Sequence, residues 1–97
     1  MKIKILRSAK NDLLDSYHFY EAQQRGIGSY FLEALSADSE SLKLYAGIHP
    51  IYFEKYYRLL SKRFPFAVYY QVKSEEILIY AVVDCRRNPA WVREKLQ

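Results

Sequence analysis

Two runs near the C-terminus, Phe66 to Lys73 and Ile77 to Asp84, most constrain what this chain can become. Both are dense in Val, Ile, Tyr and Phe, residues that suit a pleated, half-buried surface, and the polar pair Ser74-Glu75 separates them. They read as neighbouring antiparallel strands. In the first, Phe66, Val68, Tyr70 and Val72 point one way and Ala67, Tyr69 and Gln71 the other. In the second, Ile77, Ile79, Ala81 and Val83 alternate with Leu78, Tyr80 and Val82. Both faces are apolar or aromatic, whereas a sheet covered by one helical layer needs only one such face. The spare face is expected to be exposed and to serve a partner.

The rest of the chain supplies the cover. Lys2 to Arg7 alternates charge with Ile3 and Ile5 and reads as a half-buried strand. Ser8 is the expected cap of a helix whose stripe is Ala9, Leu13, Tyr17 and Tyr20. Gly26-Ile27-Gly28 breaks it, and Ser29 opens a second helix with Phe31, Leu35, Leu42 and Tyr45 on one side. Gly47 and Pro50 end that helix. Ile51 to Lys55 fits a loop or a strand, and Tyr56 to Arg63 reads as a strand. Pro89 starts a short helix or turn through Leu96. The expected class is α+β in one domain, residues 1–97: an N-terminal strand, a two-helix antiparallel hairpin, a three-stranded antiparallel meander and a short C-terminal helix or tail.

Composition bounds the function. Hydrophobic residues make up 51% and charged residues 27%, which is globular rather than disordered. No apolar run approaches the roughly 18 residues of a membrane span. The charged start lacks a signal-peptide core, so a cytoplasmic location is expected. Residues 1–48 hold six Lys/Arg against six Asp/Glu, so the net charge of +4 lies wholly in residues 49–97. A basic surface there suits nucleic acid or an acidic protein.

Most catalytic chemistries lack their residues. His18 and His49 stand alone, without partners at metal-ligand spacing, and no metal or other cofactor is expected. Cys85 is the only cysteine and has no histidine near it in sequence. The three glycines, Gly26, Gly28 and Gly47, form no phosphate loop. What remains is a basic set, Arg58, Lys62, Arg63, Arg86, Arg87 and Arg93, with aromatics Tyr69, Tyr70, Tyr80 and Trp91. Arg58 and Lys62 are expected on one strand face, and a meander would bring the cations to one side of the sheet. Such a set can hold phosphates or stack on bases, and with a general base it could cleave a phosphodiester.

Five stretches in order resemble the RelE/ParE superfamily of bacterial type II toxins: Ser8-Ala9 with Asp12-Leu13; Gly26-Ile27-Gly28; Phe31-Leu32; Arg63-Phe64-Pro65-Phe66-Ala67-Val68-Tyr69-Tyr70; and Arg86-Arg87-Asn88-Pro89-Ala90-Trp91. The resemblance covers nearly the whole chain and implies a RelE/ParE-like fold. It implies one of two activities: cleavage of mRNA on the ribosome, or poisoning of DNA gyrase without bond chemistry. The ribonucleases' basic positions fall on Arg58 and Arg86, which keep a cation, and on Leu60 and Ala67, which do not; their C-terminal tyrosine falls near Val92. The chain therefore looks closer to the ParE side, a gyrase inhibitor with Arg58, Lys62, Arg63, Arg86, Arg87 and Trp91 as target-binding residues. The alternatives are an mRNA endoribonuclease using Arg58, Lys62, Arg63 and Arg86, and a relic that only pairs with its antitoxin. The resemblance also implies a cognate antitoxin, with Tyr17, Tyr20, Phe31 and Leu35 as the expected contact.

Overall fold

The computed structural model describes residues 1–97. Its centre is the ribbon of β4 (Phe66–Lys73) and β5 (Glu76–Asp84), closed by a turn in which Ser74 and Glu75 both take positive φ, 50° and 62°. β3 (Tyr56–Leu60) pairs antiparallel with β4, and the two-residue β2 (Ile51–Tyr52) pairs antiparallel with β3. β1 (Lys2–Ile5) joins the far edge, parallel to β5. The order is β1-β5-β4-β3-β2, so the expected three-stranded meander is part of a five-stranded mixed sheet.

The β4–β5 ladder carries one irregularity. Tyr69 lies opposite Ala81 but Tyr70 lies opposite Ile79, which leaves Tyr80 as an extra residue on β5. Such a bulge reverses the facing of everything after it. Ile77, Ile79 and Val82 therefore join the helical side, and Ala81 and Val83 turn to the opposite side. This corrects the expected alternation, in which Ile77, Ile79, Ala81 and Val83 share one face. In β4 the expected facing holds for Phe66, Val68 and Tyr70 on one side and Ala67 and Tyr69 on the other.

α1 (Arg7–Gln23) and α2 (Ile27–Glu40) form the hairpin over the first face. α1 begins at Arg7, one residue before the expected cap, so Ser8 lies inside its first turn. Ser29 is likewise inside α2. The amides at the start of α2 are met from the preceding helix: the Glu21 carboxylate accepts from Gly26 N at 3.0 Å and from Gly28 N at 3.0 Å. α2 stops at Glu40, where Ser41 bonds back to the Asp38 carbonyl at 2.5 Å. Leu42 and Tyr45 therefore belong to a separate short helix, α3 (Leu42–Tyr45), and not to the α2 stripe.

The Phe-Pro-Phe corner plugs the open end of this layer. Phe64 and Phe66 meet Tyr20 and Phe31 with ring centroids 4.9 to 6.2 Å apart. The chain turns before the corner because Ser61 Oγ donates to buried Asp38 at 2.6 Å. β3 thus ends at Leu60, and Lys62 stands in the loop rather than on a strand face with Arg58.

The second face of the sheet is covered, contrary to expectation. α4 (Pro89–Leu96), capped by Asn88 Oδ1 accepting from Ala90 N at 2.8 Å, returns across it. Val92 and Leu96 pack there with Tyr56, Ala67, Tyr69, Ala81 and Val83. That is why both strand faces are apolar. The Tyr56 hydroxyl donates to the Leu96 carbonyl at 2.8 Å inside this layer. Tyr56→Phe leaves that carbonyl unpaired and is expected to cost about 1–2 kcal/mol, seen as a lower urea midpoint at unchanged slope. An unmoved midpoint would mean that the bond does not hold α4 in solution.

Candidate functional site

The α4 side of the sheet carries one fixed arginine. Arg58 lies across from Tyr69 in the β3–β4 ladder. Its guanidinium sits 3.9 Å above the Tyr52 ring centroid, and its charge lies close enough to the Tyr69 hydroxyl to act on its pKa. Its Nε is buried without a partner. Burial raises the Tyr69 hydroxyl's pKa, although Arg58 opposes the shift. Burial also raises the pKa of the nearby Cys85 thiol, again against Arg58, so at neutral pH it stays protonated and a poor nucleophile. Next along the face, exposed Leu60 pairs with buried Ala67.

The other cations do not form one constellation with Arg58. Arg86 turns back on Asp84, with Nε to Oδ1 at 2.9 Å and a second contact to Oδ2 at 2.5 Å. That pairing holds the Asp84 carboxyl below its ordinary pKa. Arg87 lies 4.4 Å from the Trp91 ring centroid. Arg63 bonds the Tyr30 hydroxyl at 3.2 Å on the α2 side, where exposed Lys62 also stands. Arg93 sits 5.5 Å from the Phe53 ring centroid. Four arginines are thus laid on aromatic rings, and a fifth is neutralised by a carboxylate. This arrangement presents charge and flat rings at the surface. It offers no proton-transfer pair beside Arg58: His18 lies against Tyr17 on α1, and His49 bonds Tyr70 on the helical side of the sheet. No three His, Cys, Asp or Glu side chains gather at metal-binding distance.

On the hairpin, Phe31 and Leu35 lie wholly in the core, and Tyr20 belongs to the aromatic plug. Tyr17 covers Gly28. Burial therefore removes Phe31 and Leu35 from the surface expected to meet an antitoxin. The apolar side chains that do reach solvent on the hairpin are Leu14, Phe19 and Tyr30, and beyond it Leu44, Tyr45, Ile48 and Ile51. Leu14 follows Leu13 in the sequence, off the core stripe, which was the available signal for an exposed apolar residue. Tyr52 had no such signal, because its role depends on a two-residue strand. No helix is long and apolar enough to cross a membrane.

The arrangement of strands and helices has a counterpart among solved structures. One chain of the structure described as "Chromosomal ParDE TA system from P. aeruginosa" superposes with a TM-score of 0.67. The alignment covers 87% of this chain and 95% of that one, at 24% sequence identity. The fold is ParE/RelE-like. No family model matches the sequence, and no curated protein matches it. The ParE/RelE-like scaffold here is the β1 edge, the α1–α2 hairpin, and the β2–β5 sheet roofed by α4.

Proposed function

We propose that this chain is the toxin of a type II toxin–antitoxin module, held inactive by a cognate antitoxin, and that it arrests DNA gyrase by binding rather than by bond chemistry. The likeness of fold to a chain of a ParDE system supports the toxin reading. One observation carries the choice of mechanism. The sheet face that holds Arg58 continues into the Leu60–Ala67 pair, and Arg86 is tied to Asp84. A ribonuclease needs several free cations around the scissile phosphate and a group that takes a proton. Here the neighbours of Arg58 are a phenol and a thiol, both made harder to ionise by burial. A binder needs neither. It acts by preferring one state of its target. Arg58, Lys62, Arg63, Arg87 and Trp91 are its contact residues, with Arg86 available only where the target competes for Asp84. The antitoxin covers the exposed apolar side chains around the hairpin, and the pair works in the cytoplasm.

Pulse labelling tests this. After induction without an antitoxin, incorporation of labelled thymidine is expected to fall before incorporation of labelled methionine. If methionine falls first, the chain acts on translation and the ribonuclease reading replaces this one. If soluble protein accumulates and neither falls, the chain is a relic that only binds an antitoxin.

A further inference from the structure

The segment from α3 to β2 exposes Leu44, Tyr45, Ile48 and Ile51 and contains little regular structure. Pro50 is held by the Arg58 amide, which donates to its carbonyl at 2.9 Å, and the stretch before it is anchored by a phenol from the middle of the sheet. Tyr70 is fully buried on β4, and its hydroxyl accepts from Gly47 N at 3.0 Å. His49 Nδ1 lies within hydrogen-bond distance of the same oxygen. Gly47 has a φ of +93°, so the loop's course at this point also depends on a backbone that other residues adopt at a cost.

The Gly47 bond has one possible direction, and the His49 contact takes its direction from the imidazole tautomer: satisfying the phenol proton calls for the one with its hydrogen on Nε2. A backbone N–H only donates, so Gly47 occupies a lone pair of the phenol oxygen. The phenol's own proton is then free to point at His49 Nδ1, which receives it only as an unprotonated nitrogen. A protonated imidazole carries hydrogen on both nitrogens and cannot accept. The phenol proton would then be left in a buried site without an acceptor, which is the costly case for a hydroxyl.

We infer that Gly47, Tyr70 and His49 form an acid-released clasp: protonation of His49 breaks the relay and frees the Gly47–His49 stretch with the exposed side chain of Ile48. The titratable groups facing the imidazole are Tyr70 from β4 and, stacked on Tyr70 at 5.2 Å, Tyr57 from β3. No charged side chain acts on the imidazole, whose surroundings hold its pKa below the ordinary histidine value through burial alone. The sign follows from that direction. The folded protein binds this proton less well than the unfolded chain does. The clasp is therefore whole above the ordinary histidine pKa and is lost as pH falls through the lower folded value. Because the Tyr70 and His49 side chains meet on the helical side of the sheet, opposite the face that carries the Arg58 side chain, this inference does not depend on the target of the basic face.

Amide hydrogen exchange followed by NMR on the full chain tests it. The protection factor of the Gly47 amide, corrected for intrinsic exchange, is expected to fall at least about tenfold as His49 protonates, with both titrations sharing one midpoint below the free-histidine value. His49→Asn places a non-titrating carbonyl oxygen near Nδ1 and is expected to remove the pH dependence. Constant protection across the imidazole titration overturns the clasp. So do different midpoints for the two titrations, or a variant that loses Gly47 protection over the same pH range as the native chain. If the variant does not fold, the coincidence of midpoints in the native chain decides alone.

Discussion

Lys95→Met is expected to destabilise the protein by about 3–5 kcal/mol at pH 7, and adding Asp12→Asn is expected to restore most of that loss. Lys95 Nζ meets Asp12 Oδ1 at 2.6 Å, with only 19% and 13% of the two side chains exposed. Removing the cation strands a carboxylate in a site where burial already raises its pKa more than Lys95 and the Val82 amide lower it. The pair is thus costly to break and worth little as a pair. Asp12→Asn removes the stranded charge yet keeps an oxygen for Val82 N, which donates to Asp12 Oδ2 at 2.9 Å. The effect of the single variant should also depend on pH. A carboxyl whose folded pKa is raised favours the fold when protonated, and that contribution is lost as pH rises through the folded value. The deficit of Lys95→Met should therefore shrink between pH 7 and pH 5. Urea midpoints of both variants at both pH values measure this. Equal losses in the single and double variants would show that the charge is not what matters.

The reason this pair carries so much lies in the edge of the sheet. β1 ends at Ile5, opposite Ile79, so past the bulge β5 has β4 on one side and no strand on the other. The amide of Val82 would otherwise be left unpaired at that edge, and Asp12 from α1 takes the place of the missing strand. The same carboxylate draws in Lys95 from α4. One side chain therefore joins the helical layer, the central ribbon and the roof over the Arg58 face. Loosening α4 would also move Trp91, on which Arg87 lies, so the loss of stability and the loss of target binding should follow each other in Lys95→Met.

Strand periodicity in the last third of the chain was enough to find β4, β5 and the Ser74-Glu75 turn, because each residue there follows from local chemistry. The glycine break between the helices was equally legible. What the sequence did not reveal was action at a distance. The bulge at Tyr80 depends on register with β4, and it alone moves Ala81, Val82 and Val83 to the faces opposite those the alternation implies. Both strand faces were read correctly as apolar, but α4 was too short and too polar to be recognised as the cover. The partners of Asp12 are 70 and 83 positions away, at Val82 and Lys95, beyond the reach of any local pattern. The basic residues were visible as a set. Their division into stacked, clamped and loop-borne cations was not, because it depends on Tyr52, Tyr30 and Asp84, which meet them only in the fold.

Gly28→Ala is expected to cost about 2 kcal/mol, more than Gly26→Ala two residues before it, although intrinsic propensity argues the reverse. Gly28 is inside α2, where alanine gains up to about 1 kcal/mol. A methyl group there would sit 2.7 Å from the Tyr17 carbonyl oxygen and 2.9 Å from Glu21 Cβ on α1. The first of these atoms is backbone, so the two helices must separate. Overpacking of this kind costs about 1–3 kcal/mol, and the spread of α1 from α2 also pulls Glu21 away from the amides it caps. At Gly26 nothing lies within 4 Å of an added methyl, and the cost is only that of holding alanine at a φ of +94°, about 1 kcal/mol. Denaturant midpoints of the two variants separate crowding from backbone strain. If Gly28→Ala is as stable as the native chain, the helices do not touch closely in solution. Should the expected order hold, Gly28→Ala also becomes a probe of the hairpin as a partner surface. It shifts α1 against α2 without altering Leu14, Phe19 or Tyr30, so weaker antitoxin binding by a folded variant would mean that the antitoxin reads the spacing of the two helices.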